Sequence, residues 1–145
     1  MHALTSNLLL APQRRNFVKS QRYGGGIYSL NSDVSIQDQV SIADNTGSAA
    51  GGGVFAYATQ FSAIGAHISN NFGIMGGGMY LDTNTSARLI GTLLTSNEAD
   101  VSGGAVYCAQ CTALRFNNVN ASLNVAQLKG GGLVSIYFCA YTHGL

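Results

Sequence analysis

An asparagine followed six residues later by paired glycines occurs four times in this chain: Asn45 to Gly51, Asn70 to Gly76, Asn97 to Gly103 and Asn124 to Gly130. A fifth block, Gly24-Gly25-Gly26, precedes them without its asparagine. The blocks start at 24, 51, 76, 103 and 130, so the steps are 27, 25, 27 and 27 residues. Self-similarity at such a period marks a stacked-repeat architecture, because one short unit buries its apolar face only against its neighbours.

The unit reads N-x5-G-G-[G/A] followed by an apolar residue and then Tyr, Phe or Val: Ile27-Tyr28, Val54-Phe55, Met79-Tyr80, Val106-Tyr107 and Leu133-Val134. Between the blocks, stretches such as Val34-Ser35-Ile36 and Val40-Ser41-Ile42 alternate apolar and polar residues with period two, the pattern of half-buried strands. No window sustains helical periodicity, and 19 glycines in 145 residues would break a helical repeat again and again. Several short strands in about 27 residues fit a coil that returns to its own start one rung higher, about 4.8 Å away. The expected fold is all-β: a right-handed parallel β-helix of the pectin-lyase-like kind, with roughly four to five rungs. Equivalent residues then lie above one another. Asn45, Asn70, Asn97 and Asn124 are expected to form an amide ladder, and Gly51, Gly76, Gly103 and Gly130 to mark the corner after it, where a Cβ does not fit.

These columns resemble the repeats of the polymorphic outer membrane proteins of chlamydiae and of related right-handed β-helix proteins, whose hallmarks are G-G-A-[I/L/V] and F-x-x-N elements. Gly103-Gly104-Ala105-Val106 matches the first outright, and the other blocks match it with Gly for Ala. The second element is degraded, since three residues before each asparagine stand Ile42, His67, Leu94 and Ala121. Residues 24 to about 138 are covered. The resemblance implies a surface or secreted β-helix passenger, extracellular and attached to the outer membrane if bacterial. It implies nothing about catalysis.

Charge divides the chain in two. Residues 1–22 hold Arg14, Arg15, Lys19 and Arg22 with no acid, and read as a basic leader or cap outside the repeat; a transit or membrane-surface segment is the other reading. Residues 23–145, the repeat region, hold three bases and six acids, so they offer no basic footprint for nucleic acid. No stretch reaches the ~20 apolar residues of a membrane-spanning helix. Both ends read as cut, which points to a fragment of a longer solenoid or to end-to-end self-association.

No catalytic, cofactor or metal residue stands out. Carbohydrate-active β-helices need clustered carboxylates to bind calcium or to divide acid and base roles. Here Asp33, Asp38, Asp44, Asp82, Glu98 and Asp100 fall on alternate rungs, and residues 51–75 carry no charge. His67 takes the slot of Ile42 and Leu94, which makes it a core or rim residue. Cys108-Ala109-Gln110-Cys111 could be a redox motif or half a zinc site, but neither the helix nor the further ligands are at hand. Column spacing instead suggests an inter-rung disulfide between Cys111 and Cys139, which lie eight and nine residues past the starts of successive glycine blocks. Arg88 and Arg115 each lie twelve residues past their block, so they project from one face of neighbouring rungs as a candidate contact for a carboxylate or sulfate sugar; two solvated side chains are the plainer reading. Asn84-Thr85-Ser86 and Asn120-Ala121-Ser122 are glycosylation sequons, of consequence only in a eukaryotic secretory setting. The leading expectation is a non-catalytic, adhesin-like scaffold that binds a surface protein or glycan. The alternative is a polysaccharide lyase or hydrolase whose catalytic rungs lie outside this segment.

Overall fold

The structure, a computed structural model, describes residues 2–4, 8–10, 19–20, 23–37, 39–135 and 140–143. Its described residues contain strands and no helix, and every strand pair is parallel. The chain winds about four full coils, each with four sides. The first full coil comprises β4 (Ile27–Leu30), β5 (Asp33–Gln37), β6 (Ser41–Ala43) and β7 (Thr46–Ala50). The second holds β8 (Val54–Tyr57), β9 (Gln60–Ile64), β10 (His67–Ser69) and β11 (Phe72–Met75). In the third lie β12 (Met79–Leu81), β13 (Ser86–Ile90), β14 (Leu93–Thr95) and β15 (Glu98–Ser102). The fourth is β16 (Val106–Cys108), β17 (Ala113–Asn117), β18 (Asn120–Ser122) and β19 (Val125–Ala126). Before them β1 (His2–Leu4), β2 (Leu8–Leu10) and β3 (Lys19–Ser20) extend sides one, two and four by one strand. After them β20 (Leu133–Ser135) and β21 (Ala140–His143) extend sides one and two. Part of the segment read as a basic leader thus pairs onto the coil.

A parallel β-solenoid with roughly 27 residues per turn was legible from the glycine period, and the strand register reproduces it: Ile27 lies beside Val54, Met79 beside Val106, Val106 beside Leu133. The shorter 25-residue repeat loses its residues at two places. Gln37 pairs with Ile64 but Ser41 with His67, so one is lost at the corner between sides two and three. The other is lost between Gly73 and Met75, which span with one residue what Gly47 to Ala50 and Ala99 to Ser102 span with two.

Each corner is turned by one residue with positive φ, except the first corner of the fourth full coil, Ala109–Thr112, which has none. Asn31, Ala58 and Asn84 turn the first; Gln39, Gly65, Gly91 and Asn118 the second; Asp44, Asn70, Ser96 and Leu123 the third; and Gly24, Gly51, Gly76, Gly103 and Gly130 the fourth. Gly and Asn bear this left-handed conformation at least cost, which accounts for much of their abundance in the chain. The glycine blocks need more than a turn. A Cβ on the second glycine of a block, Gly77, would stand 2.2 Å from the Glu98 carbonyl oxygen. On the third, Gly53, it would press 3.0 Å against the Asn71 amide. The triplet therefore combines a left-handed residue, a close backbone approach and room for the amide ladder.

Inside, side one contributes Ile27, Val54, Met79 and Val106, side two Val34, Ile36, Phe61, Ala63, Leu89 and Leu114, and side three Ile42, Ile68 and Leu94, all buried. As far as the third full coil, side four buries only small residues, Gly47 and Ala50, Gly73, and Ala99 and Ser102, leaving space for the asparagines beside it.

The ladder is real, with one member corrected. It runs through Asn45, Asn71, Asn97 and Asn124, not Asn70. The Oδ1 atoms of Asn71, Asn97 and Asn124 each accept from the backbone N–H and the side-chain amide of the asparagine one coil earlier, at 2.9–3.1 Å. The amides of Asn71, Asn97 and Asn124 also donate to the carbonyls of Ile42, Ile68 and Leu94. Asn70 is exposed and turns the third corner. Its six-residue spacing to Gly76 is a coincidence of the residue lost in β11.

Candidate functional site

The interior of the coils is packed with apolar side chains, and the charged and polar groups that could hold a ligand stand on the outer faces. On side two, β13 and β17 pair Arg88 directly with Arg115, as the column spacing required. Both are exposed and stand on a groove of about 350 Å³, with Gln60, Ser62 and Ser86 on its floor and rim. Among the described residues neither guanidinium has a carboxylate partner. Two like charges one strand apart, about 4.8 Å, repel each other, and an anion bridging them relieves that repulsion through charge-assisted hydrogen bonds. The hydroxyls and the Gln60 amide add neutral donors around it.

On side one the column after the glycines forms a second feature. Tyr28, Phe55, Tyr80 and Tyr107 follow one another with ring centroids 5.3 Å apart and planes within 22° of parallel. Tyr23 closes on Phe55 at 4.8 Å. Parallel rings at that separation overlap face to face with an offset, since rings lying edge to edge in one plane cannot come so close. The ring faces are thus occupied by their neighbours. What solvent meets is edges, which suits a stabilising ladder better than a platform for stacking sugars. Burial, with Asp82, Tyr107 and Tyr23 adding negative charge nearby, pushes the Tyr80 hydroxyl up to about 12, so it stays a neutral hydrogen-bond donor.

The carboxylates do not gather. Asp33 and Asp44 sit on the first full coil and Asp82, Glu98 and Asp100 on the third, with no charged residue on the second; Asp38 lies outside the described residues. Asp82 is occupied locally, accepting from the Thr83 N–H at 2.7 Å, and Asp100 accepts from Gln127. Among the described residues no group of three His, Cys, Asp or Glu side chains can hold a metal ion.

Two expectations change. His67 does not take the slot of Ile42 and Leu94: it pairs with Ser41 and Leu93 and is exposed, while Ile68 fills the buried position. A one-residue shift reverses the face of every side chain in a strand, and choosing Asn70 over Asn71 carried that shift into the whole of β10. With it corrected, the residue three before each ladder asparagine is Ile42, Ile68, Leu94 or Ala121, so the column reads Φ-x-x-N, where Φ is an aliphatic residue or Ala and in no coil the Phe of an F-x-x-N element. The second concerns Cys111, which is bonded to Cys108 within one coil (Cα–Cα 5.7 Å) and not across coils; Cys139 lies outside the described residues. Cys108 ends β16 facing inward, and the corner after it turns Cys111 back into the core, where both are buried. The C-x-x-C spacing carried this pairing, which the column arithmetic overrode.

Comparison with known proteins leaves the fold as the firm class: no family model matches the chain, and no curated protein or solved structure matches it. The class is a parallel β-solenoid. No helix among the described residues is long and apolar enough to cross a membrane.

Proposed function

We propose that this chain is a non-catalytic β-solenoid scaffold that binds a surface protein or glycan through its outer faces, in the manner of an adhesin-like passenger. The observation that carries this reading is the Arg88–Arg115 pair over its polar groove, set against carboxylates dispersed on separate coils. The architecture brings two cations together and keeps acids apart, which is the reverse of what a polysaccharide lyase or hydrolase needs. The Φ-x-x-N and G-G-[G/A] columns support a kinship with the polymorphic outer membrane protein repeats, and with it a surface or secreted location. A buried Cys108–Cys111 bridge accords with an oxidising compartment.

The test is a binding panel of immobilised sulfated, carboxylated and neutral glycans and whole cells, with a parallel turnover assay with and without calcium. Saturable binding without cleavage is expected. The double variant R88A/R115A should weaken binding to the anionic members while its stability stays within about 0.5 kcal/mol of the parent, because both side chains are exposed. Cleavage of polygalacturonate that disappears on mutating Asp82 or Asp100 would overturn the scaffold reading.

A further inference from the structure

Two neighbouring columns on the outside of side two make the arginine groove. One runs Ser35, Ser62, Arg88, Arg115 and Thr142; the other runs Asp33, Gln60, Ser86 and Ala113. Beside the two long arginines the second column shrinks to Ser86 and Ala113, and the space so left is the groove of about 350 Å³. The arginines stand in the middle of their column: Ser35 and Ser62 precede them and Thr142 follows, all uncharged. Asp33, the acid on this face, lies two strands before Arg88, about 10 Å away by strand spacing alone, which is too far for an ion pair.

That pattern states how much charge the ligand carries and how closely it is gathered. A polyanion running along the axis calls for a cation on every coil, whereas here two cations are followed on either side by neutral residues. The matching charge is therefore compact. A carboxylate has two oxygens, which the fork of one guanidinium already satisfies, so two forks side by side call for a group with three acceptor oxygens. Sulfate and phosphate monoesters both have three. The sulfate ester carries a single negative charge, while the phosphate ester carries close to two at neutral pH, its second ionisation lying near about pH 6. The phosphate dianion thus cancels both guanidiniums and the other two groups do not. Around it the Gln60 amide and the hydroxyls of Ser62 and Ser86 supply donors and acceptors that match the hydroxyls of a sugar. The volume falls at the lower end of small-molecule sites, roughly 300–1,000 Å³, and suits one sugar residue better than a length of peptide.

We propose that the Arg88–Arg115 groove is a site for a phosphorylated sugar, with its phosphomonoester dianion held between the two guanidiniums and its hydroxyls against Gln60, Ser62 and Ser86. This rests on the scaffold reading above and narrows its ligand from anionic glycans in general to those that carry a terminal phosphate.

Calorimetric titration of the full chain with glucose-6-phosphate, glucose-6-sulfate and glucuronate tests it. Near neutral pH the phosphate ester should bind about tenfold or more tightly than the other two. Lowering the pH to about 5, where only about a tenth of the ester is dianionic, should weaken it about tenfold. The charge of the sulfate ester does not change over that range, so its own titration reports any contribution from protein groups such as His143, which follows Thr142 in β21. The variants R88A and R115A should each bring the phosphate ester down to the level of the sulfate ester while keeping the thermal transition of the parent, since both side chains are exposed. Inorganic phosphate and a phosphoserine peptide, which lack the sugar, should bind several-fold more weakly than glucose-6-phosphate. Sulfate or uronate binding as tight as phosphate, or an equal loss of sulfate affinity on acidification, would overturn the proposal and leave the scaffold reading standing. A phosphoserine peptide bound as tightly as the sugar ester would overturn the assignment to sugar. Silence of every anionic probe up to about 10 mM, together with a glycan panel indifferent to R88A/R115A, would remove both the proposal and the reading it rests on.

Discussion

The second and third full coils and the fourth follow one backbone template with different contents. In the second and third, side two buries Phe61 and Ala63, then Ala87 and Leu89, and side three buries Ile68 and Leu94. In the fourth, side two buries only Leu114, and β18 and β19 bury nothing. Yet Asn124, Gly103 and Gly130 keep the same conformations and pairings as their counterparts above. The path of the coil is thus set by its amide and glycine columns, which act through backbone geometry. The apolar filling decides how strongly each coil is held.

That comparison can be tested by making one change in both regions. The largest difference is expected at the glycines. Gly78→Ala brings a methyl to 2.5 Å from the Ala105 carbonyl oxygen and should destabilise by more than about 3 kcal/mol in a denaturant titration, whereas Gly132→Ala, in the same column, meets nothing within 4 Å and should stay within about 0.5 kcal/mol. Equal effects would mean that the glycine columns do not set the path. The asparagines come next. Asn97 is fully buried, so Asn97→Ala strands the two Asn71 donors it accepts and should cost about 2–3 kcal/mol; Asn124 is half-buried, so water replaces its amide and Asn124→Ala should cost less than about 1 kcal/mol. The smallest effect belongs to the aromatic ladder. With its folded value at about 12 against 10 in the unfolded chain, Tyr80 favours the native state while neutral. Its contribution is whole below pH 10 and is lost as pH rises from 10 to 12. Urea midpoints of the parent should fall across that window more steeply than those of Tyr80→Phe, and parallel curves would show that burial does not hold the hydroxyl neutral.

The sequence was most legible where chemistry is confined to one residue type. Positive φ and close backbone approach admit glycine almost alone, so the corner column and the period could be read directly. The Arg88–Arg115 pairing followed from that period because β13 and β17 lie in an undistorted repeat. Asn70 and Asn71 could not be told apart by composition, since a left-handed corner and a buried amide ladder both favour asparagine. Only alternation offered a signal: placing Ile68 inward, as Ile42 and Leu94 are, requires Asn71 in the ladder and sends His67 outward. The aromatic column was visible as a list of residues, but that its rings cover each other's faces depends on their tilt, which no spacing encodes.

The register carries one more consequence, for how such a molecule comes to exist. Strand partners are 25 to 27 residues apart at every level, as in Val54 with Met79 and Ile27 with Val54. No pairing between strands forms until a whole turn of chain has closed on itself, at an entropic cost of about 3 kcal/mol for a loop of that length. Every later turn meets an edge already in place. Folding of this chain is therefore a zipper with a slow first tooth, and the tooth is expected among the coils filled by Phe61, Leu89 and Leu94, from which growth runs towards both ends.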